Sequence, residues 1–238
     1  MPSSPLPLLR RRPVLGLLAT GLATGLVATV AAPALLVRAA RAAGTTPSAA
    51  TTGGAAGTAI AAETAAWESP RTLGHQDAKI VVEEWFSLTC THCAHFAATT
   101  FPEARKKLID TGKVRWVFRD FPLDRVALVA AQVARALPPA RYATFILALF
   151  ADQDRWAFGA GPNYEKQLWQ MAALAGLDRA TFDAAVGDTS LRDWILSQQK
   201  LAETKWKIDA TPSFVINGRM VAGEMPYATF VKELPGLG

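Results

Sequence analysis

Both cysteines of the chain lie in one tetrapeptide, Cys90-Thr91-His92-Cys93. The run before it, Lys79-Ile-Val-Val-Glu-Glu-Trp-Phe86, is β-branched and aromatic and reads as a strand. The residues after it turn helical. Cys90 is therefore expected at a helix N-terminus, where unsatisfied N–H groups and the positive end of the dipole favour a thiolate. A protonated His92 would add positive charge beside that sulfur. Cys93 lies one helical turn further on and is expected to be less exposed. Cys90 is thus the candidate nucleophile, and Cys93 the resolving thiol that attacks a mixed disulfide and releases the product.

Other chemistry for the two cysteines fits less well. Haem attachment needs C-x-x-C-H, and Ala94 follows Cys93. Zinc would need two further ligands, and His92 and His95 are too close in sequence to complete a tetrahedron with both sulfurs. No metal and no organic cofactor is expected. A structural short-loop disulfide is the remaining competitor. His95 reads as a helix-surface residue, and His75 precedes the fold.

The elements that must position this motif follow along the chain. Residues 90–109 are expected to be helical, with Phe96, Phe101 and Leu108 buried and Pro102 kinking or breaking the helix. Gly112 stops it, and Lys113–Phe118 alternates as a second strand, giving a β-α-β order and a parallel pair. Helices are then expected at Val126–Leu137, ended by Pro138-Pro139, and at Tyr142–Ala151. Another runs from Tyr164 to Ala175 and ends at Gly176. A short helix capped by Asp178 reaches Val186. A last one starts at Ser190 and runs to about Trp206, with Leu191, Trp194, Ile195 and Leu201 facing inward. Ser213–Ile216 and Arg219–Ala222 flank Asn217-Gly218, a strong hairpin signal. Tyr227–Leu234 closes the chain as a helix. The fold class is α/β, a single domain over 67–238, with an all-helical insertion at about 124–206 between the β-α-β half and the hairpin-and-helix half.

Half of the 238 residues are hydrophobic and 19% are charged, which excludes a disordered chain. The net charge of +5 is misleading. Arg10, Arg11, Arg12, Arg38 and Arg41 account for it, and residues 43–238 carry 20 basic against 20 acidic side chains. No nucleic-acid partner is expected. Residues 1–42 combine three arginines, an uncharged stretch from Val14 to Val37 and small-residue sites such as Ala32-Pro33-Ala34. They read as an export signal, Sec or twin-arginine, or as an N-terminal membrane anchor. Residues 43–66 are almost entirely Ala, Thr, Gly and Ser and read as a flexible linker.

Three features together resemble the DsbA-like branch of the thioredoxin superfamily, over about Ala78 to Phe230. One is Val82-Glu83-Glu84-Trp85-Phe86-Ser87 followed by the C-x-x-C. The second is Ala210-Thr211-Pro212-Ser213-Phe214-Val215-Ile216-Asn217-Gly218. The third is the separation of 122 positions between Cys90 and Pro212, filled by helices. The resemblance implies a thioredoxin-like fold and a redox disulfide, Cys90–Cys93. It implies that Pro212 is a cis-proline beside the active site and that the Thr211 backbone pairs with substrate. It further implies that Glu84, six residues before Cys90, is a buried carboxyl with a raised pKa that exchanges protons with Cys93. Glu83 would point to the opposite face, solvated.

What the resemblance leaves open is direction. His92 is common in oxidising members. Thr91 stands where DsbA often has proline, and Thr211 also occurs in isomerase-type relatives. The leading reading is a monomeric, periplasmic oxidase that donates its disulfide to newly exported cysteine-containing proteins and is re-oxidised by a DsbB-type membrane oxidase. An isomerase or reductase kept reduced is the second reading. A thiol-based chaperone or copper-handling binding protein is the third.

Overall fold

The computed structural model describes residues 66–159 and 161–237. The expected export segment and almost all of the expected linker lie outside the described residues. Among those described, no helix is long and apolar enough to cross a membrane.

A five-stranded sheet runs in the order β1-β3-β2-β4-β5. Its central strands are β2 (Ile80–Phe86) and β3 (Val114–Asp120), which pair in parallel, Glu84 opposite Phe118. Strand β4 (Ser213–Ile216) lies antiparallel to β2, and β5 (Arg219–Ala222) forms a hairpin with it. Asn217 and Gly218 both take positive φ, 45° and 88°, as a tight hairpin turn of this hand requires. The Asn217 side chain also accepts from the Val81 N–H at 2.8 Å and donates to the Lys79 carbonyl at 3.1 Å, so the turn is tied to the start of β2.

Strand β1 (Arg71–Leu73) pairs antiparallel with β3 and was not expected. Three residues are too few to show alternation. It is held instead by burial of Arg71, whose Nη2 donates to the Arg135 carbonyl at 2.8 Å.

Strand parity sorts the sheet into two faces. Ile80, Val82, Glu84 and Phe86 point into the main core, where Trp116, Phe118 and Phe214 meet them. Trp85 and Val215 point the other way and are covered by Ala202 and Ile208. The main core is closed by helix α1 (Thr91–Thr99), through Phe96, and by helix α8 (Tyr227–Glu233), through Phe230. Phe96 and Phe214 ring centroids are 4.9 Å apart.

The long helix expected over 90–109 is broken as its proline demands. Helix α1 stops at Thr100, helix α2 (Phe101–Ala104) starts with Pro102 in its first turn, and a π-helical turn (Arg105–Ile109) follows. Phe96, Phe101 and Leu108 are buried, as the pattern required.

The insertion consists of α3 (Arg125–Ala136), α4 (Pro139–Ala151), a π-helical turn (Asp154–Phe158), α5 (Tyr164–Leu174), α6 (Arg179–Gly187) and α7 (Thr189–Trp206). Three of these helices are capped by aspartate. Asp124, Asp178 and Asp188 accept from the N–H groups of Ala127, Thr181 and Leu191. Two expected boundaries are corrected. Helix α4 starts at Pro139 rather than Tyr142, because a proline costs nothing in the first turn, where its missing N–H has no partner. Helix α7 is capped by Asp188 and starts at Thr189, not Ser190. Leu201 was expected inward but is 49% exposed, since Ala202 takes the inward position in line with Leu191 and Ile195. Trp194 is half-buried, its ring 4.4 Å from the Arg135 guanidinium.

At the carboxyl end of β3, Asp120 anchors a buried polar cluster. Its two oxygens accept from Arg135 Nε at 2.5 Å and from the Tyr142 hydroxyl at 2.7 Å. Arg135 also donates to the Trp67 carbonyl. One carboxylate thus joins β3, α3 and α4, and through Arg135 the chain entering β1.

Candidate active site

Strand β2 ends at Phe86, and a four-residue loop, Ser87 to Cys90, delivers the chain to α1. One backbone N–H and two side chains from elsewhere hold that loop. Ser87 Oγ accepts from the Leu123 N–H at 3.3 Å. Thr89 Oγ1 donates to Asp124 Oδ2 at 2.6 Å. Gln153, at the end of α4, is buried and donates from Nε2 to the carbonyls of Leu88 at 2.8 Å and Cys90 at 3.2 Å.

Cys90 is the N-cap of α1, and its Sγ accepts from the Cys93 N–H at 3.4 Å. It is 8% exposed, while Cys93 is wholly buried. The Cys90 thiol also reaches the Thr211 carbonyl, at 3.3 Å. A hydrogen bond from the Cys93 side chain, with further ones from the backbone N–H groups of Cys93 and His92, outweighs burial and brings the Cys90 thiol down to about 5. Cys93 moves the opposite way, well above its ordinary value, driven first by burial and then by Cys90. The two sulfurs are thus sharply unequal: one a thiolate at neutral pH with a sliver of its surface exposed, the other a wholly buried thiol.

Glu84 is 3% exposed and lies on the core face of β2. Burial raises its carboxyl to about 7, only partly offset by a 2.9 Å hydrogen bond from Trp116 Nε1. Its charge, when present, pushes Cys93 further up. Glu83 faces the other way, as parity demands, but is not simply solvated. Arg119 Nε donates to it at 2.8 Å, and the same guanidinium lies over the Trp85 ring.

Thr211 and Pro212 sit beside Cys90, buried, with a cis peptide bond between them. Thr211 Oγ1 is buried and finds no hydrogen-bond partner among the described residues. Thr91 and His92 are exposed on the outer side of α1. His92 Nδ1 is 2.6 Å from Glu224 Oε1, which raises the His92 pKa and favours its charged form, and the backbone N–H of His92 also helps lower the Cys90 thiol.

Every expected site residue therefore falls in one region, at the carboxyl end of β2 and the start of β4. Sequence reasoning missed four others: Trp116, Asp124, Gln153 and Glu224. Trp116 was within reach, since it lies in β3, in register with Val82 and on the face of Glu84. Asp124 and Gln153 lie 34 and 63 positions from Cys90, and Glu224 lies 134 away; nothing local marks them. Beside α1 opens a cleft of about 460 Å³, lined by His95, Thr99, Thr100, Glu224, Met225 and Tyr227 among others. Among the described residues no group of three or more His, Cys, Asp or Glu side chains is placed to hold a metal ion.

The family model described as Thioredoxin matches residues 67–234. A Rickettsia bellii protein, whose name assigns it provisionally to the protein-disulfide oxidoreductases, is 32% identical over 152 residues, covering 63% of this chain and 58% of that protein. The chain spans somewhat more than half the length of the rickettsial relatives it matches. Disulfide bond formation protein D of Bacillus subtilis is 26% identical over 185 residues, covering 69% and 77%. Among solved structures, alpha-DsbA1 of Wolbachia pipientis superposes with a TM-score of 0.66 at 31% identity, covering 71% of this chain and 91% of that one. Oxidised BdbD of Bacillus subtilis, at 20% identity and a TM-score of 0.60, shares the fold over 68% and 89%.

Proposed function

The chain belongs to the thioredoxin family, as a DsbA-like member, and from that premise we propose that it is an exported thiol–disulfide oxidase. Its Cys90–Cys93 disulfide is donated to newly exported proteins that carry paired cysteines. The observation that carries this reading is the inequality of the two sulfurs. A thiolate stabilised at Cys90 makes the reduced protein the favoured product, which is what a disulfide donor needs.

The exchange runs in two steps. A substrate thiolate attacks Cys90 Sγ, the Cys90–Cys93 bond breaks, and a mixed disulfide forms. Cys93 leaves with the electron pair and takes a proton, for which Glu84, with its carboxyl near neutral, is the supplier. A second substrate thiolate then attacks the substrate sulfur of the mixed disulfide. Cys90 leaves as the thiolate, a good leaving group because it is the more acidic thiol. Substrate loses two electrons and the protein gains two. A membrane oxidase of the DsbB type takes them off again. The Thr211 backbone, beside Cys90, would align the substrate strand, and the cleft along α1 would receive the flanking residues. Residues 1–42 would direct export to the periplasm, by cleavage or as an anchor.

Equilibration with glutathione tests the direction. A potential near ~−120 mV supports donation, and one near ~−270 mV would overturn it in favour of a reductase.

A further inference from the structure

One carboxylate gathers both histidines of α1. Glu224 follows β5 in the turn Gly223-Glu224-Met225-Pro226. Its Oε1 lies 2.6 Å from His92 Nδ1, and its Oε2 lies 2.5 Å from His95 Nδ1. The rings are mostly exposed, while Glu224 is about a quarter exposed. The residues on either side of it are pinned. Gly223 N–H donates to the Pro212 carbonyl at 2.9 Å, and Thr100 Oγ1 donates to the Met225 carbonyl at 2.7 Å. The turn that presents Glu224 is thus fastened both to the loop that touches Cys90 and to the end of α1.

We propose that Glu224 is a positioning residue that limits the acidity of Cys90. It holds the His92 and His95 rings against the outer side of α1 and sets a negative charge against the positive charge that His92 brings to the thiolate. The inference rests on the reading of Cys90 as the nucleophile.

The direction of the effect follows from the order of titration. Cys90 ionises near pH 5, below the ordinary histidine value of about 6.5. The Glu224 carboxyl, pushed up by partial burial but pulled down further by hydrogen bonds from His92 and His95, lies below its usual value and is charged there too. When the thiol loses its proton, the bridge sets the negative charge of Glu224 against the positive charge of His92. Removing the negative one must stabilise the thiolate. Other charges near the bridge come from α2 and the π-helical turn after it. Glu103 lines the same cleft but is paired with Lys107 at 2.5 Å, and Lys107 lies over the Tyr227 ring at the start of α8. That pair is neutral and leaves the sign unchanged. On the loop side, Asp124 is engaged by Thr89.

The test uses the reduced full-length chain, as wild type, Glu224→Gln and Glu224→Asp, with thiolate ultraviolet absorbance followed against pH. Glu224→Gln is expected to lower the Cys90 midpoint by a few tenths of a pH unit, and Glu224→Asp to return it toward wild type. An unchanged or higher midpoint in Glu224→Gln overturns the proposal. A purely structural role would change the unfolding midpoint of both redox forms without moving the thiol. His92 ring resonances give a second measurement, with their midpoint expected to fall in Glu224→Gln. If it stays put, the bridge does not act on His92 and the proposal fails. A wild-type Cys90 midpoint in the ordinary thiol range near ~8.5 would instead overturn the nucleophile reading itself.

Discussion

Trp116 Nε1 donates to Glu84 Oε2 at 2.9 Å inside the core, across the parallel pair β2–β3. The bond leaves one Glu84 carboxyl oxygen without an indole partner, on the side of the sheet where Cys93 is buried. Glu84 is thus an acid held close to neutrality by burial, not by a paired cation.

Glu84→Gln is expected to slow the release of Cys93 and to remove an inflection near pH 7 from the rate of dithiol oxidation. Stopped-flow oxidation of a dithiol peptide against pH measures both. The same substitution should alter stability in a pH-dependent way. A carboxyl raised from 4.5 to about 7 on folding holds its proton more tightly in the native state. Its stability contribution is full below 4.5 and is lost as pH rises to about 7. Glu84→Gln should therefore match wild type at acid pH and exceed it by about 3 kcal/mol at pH 8. Urea unfolding at the two pH values checks it, and equal differences at both would contradict the buried acid.

The Cys90 thiolate makes a second linkage prediction, of opposite sign. A thiol lowered from 9.0 to about 5 on folding stabilises the reduced protein in full above its unfolded value and ceases to do so as pH falls through about 5. The reduced form should gain about 2–3 kcal/mol from this source at pH 7, and almost none at pH 4. Calorimetry of reduced and oxidised protein at both pH values reads the gap. A gap that does not close in acid would place the stabilisation elsewhere.

With a disulfide-bonded substrate, Cys93→Ser is expected to accumulate a mixed disulfide: the Cys90 thiolate attacks the substrate disulfide and displaces one substrate thiolate, and the buried thiol that would resolve the adduct is gone. Cys90→Ser should form none and lose oxidase turnover altogether. Non-reducing gels of either reduced variant with a disulfide-bonded substrate distinguish them. Adducts on Cys93 instead would reverse the two roles.

Gln153→Ala leaves two buried carbonyls of the redox loop without their side-chain donor. A loss of about 1–3 kcal/mol is expected, read as a lower denaturation midpoint. Asp120→Ala should cost more, about 3–5 kcal/mol, because it strands the buried Arg135 guanidinium without its carboxylate. A loss below ~1 kcal/mol would show that the cluster is dispensable.

Much of this was legible in the sequence. The strands of the sheet centre, the hairpin at Asn217-Gly218 and the broken helix at Pro102 announce themselves through side-chain parity, turn chemistry and a missing N–H. The α/β order with a helical insertion between its halves, expected from Cys90-Thr91-His92-Cys93 and the Thr211-Pro212 segment, is the fold observed. What stayed hidden depends on long-range geometry. Strand β1 is too short for any pattern. Gln153 and Glu224 resemble ordinary polar residues until the chain brings them, from 63 and 134 positions away, against the loop and the first helix.

The clasp on the redox loop has a consequence for how this fold can vary. Asp124 caps the start of α3 and Gln153 lies two residues past the end of α4, and both hold the loop between Ser87 and Cys90. Adding or deleting one residue in α4 would swing Gln153 by about 100° around the helix axis and off the loop. Adding a whole turn would keep its bearing but move it about 5 Å along the axis. Indels within this helical hairpin are therefore confined to its connection at Leu137 and Pro138, or must be compensated in pairs.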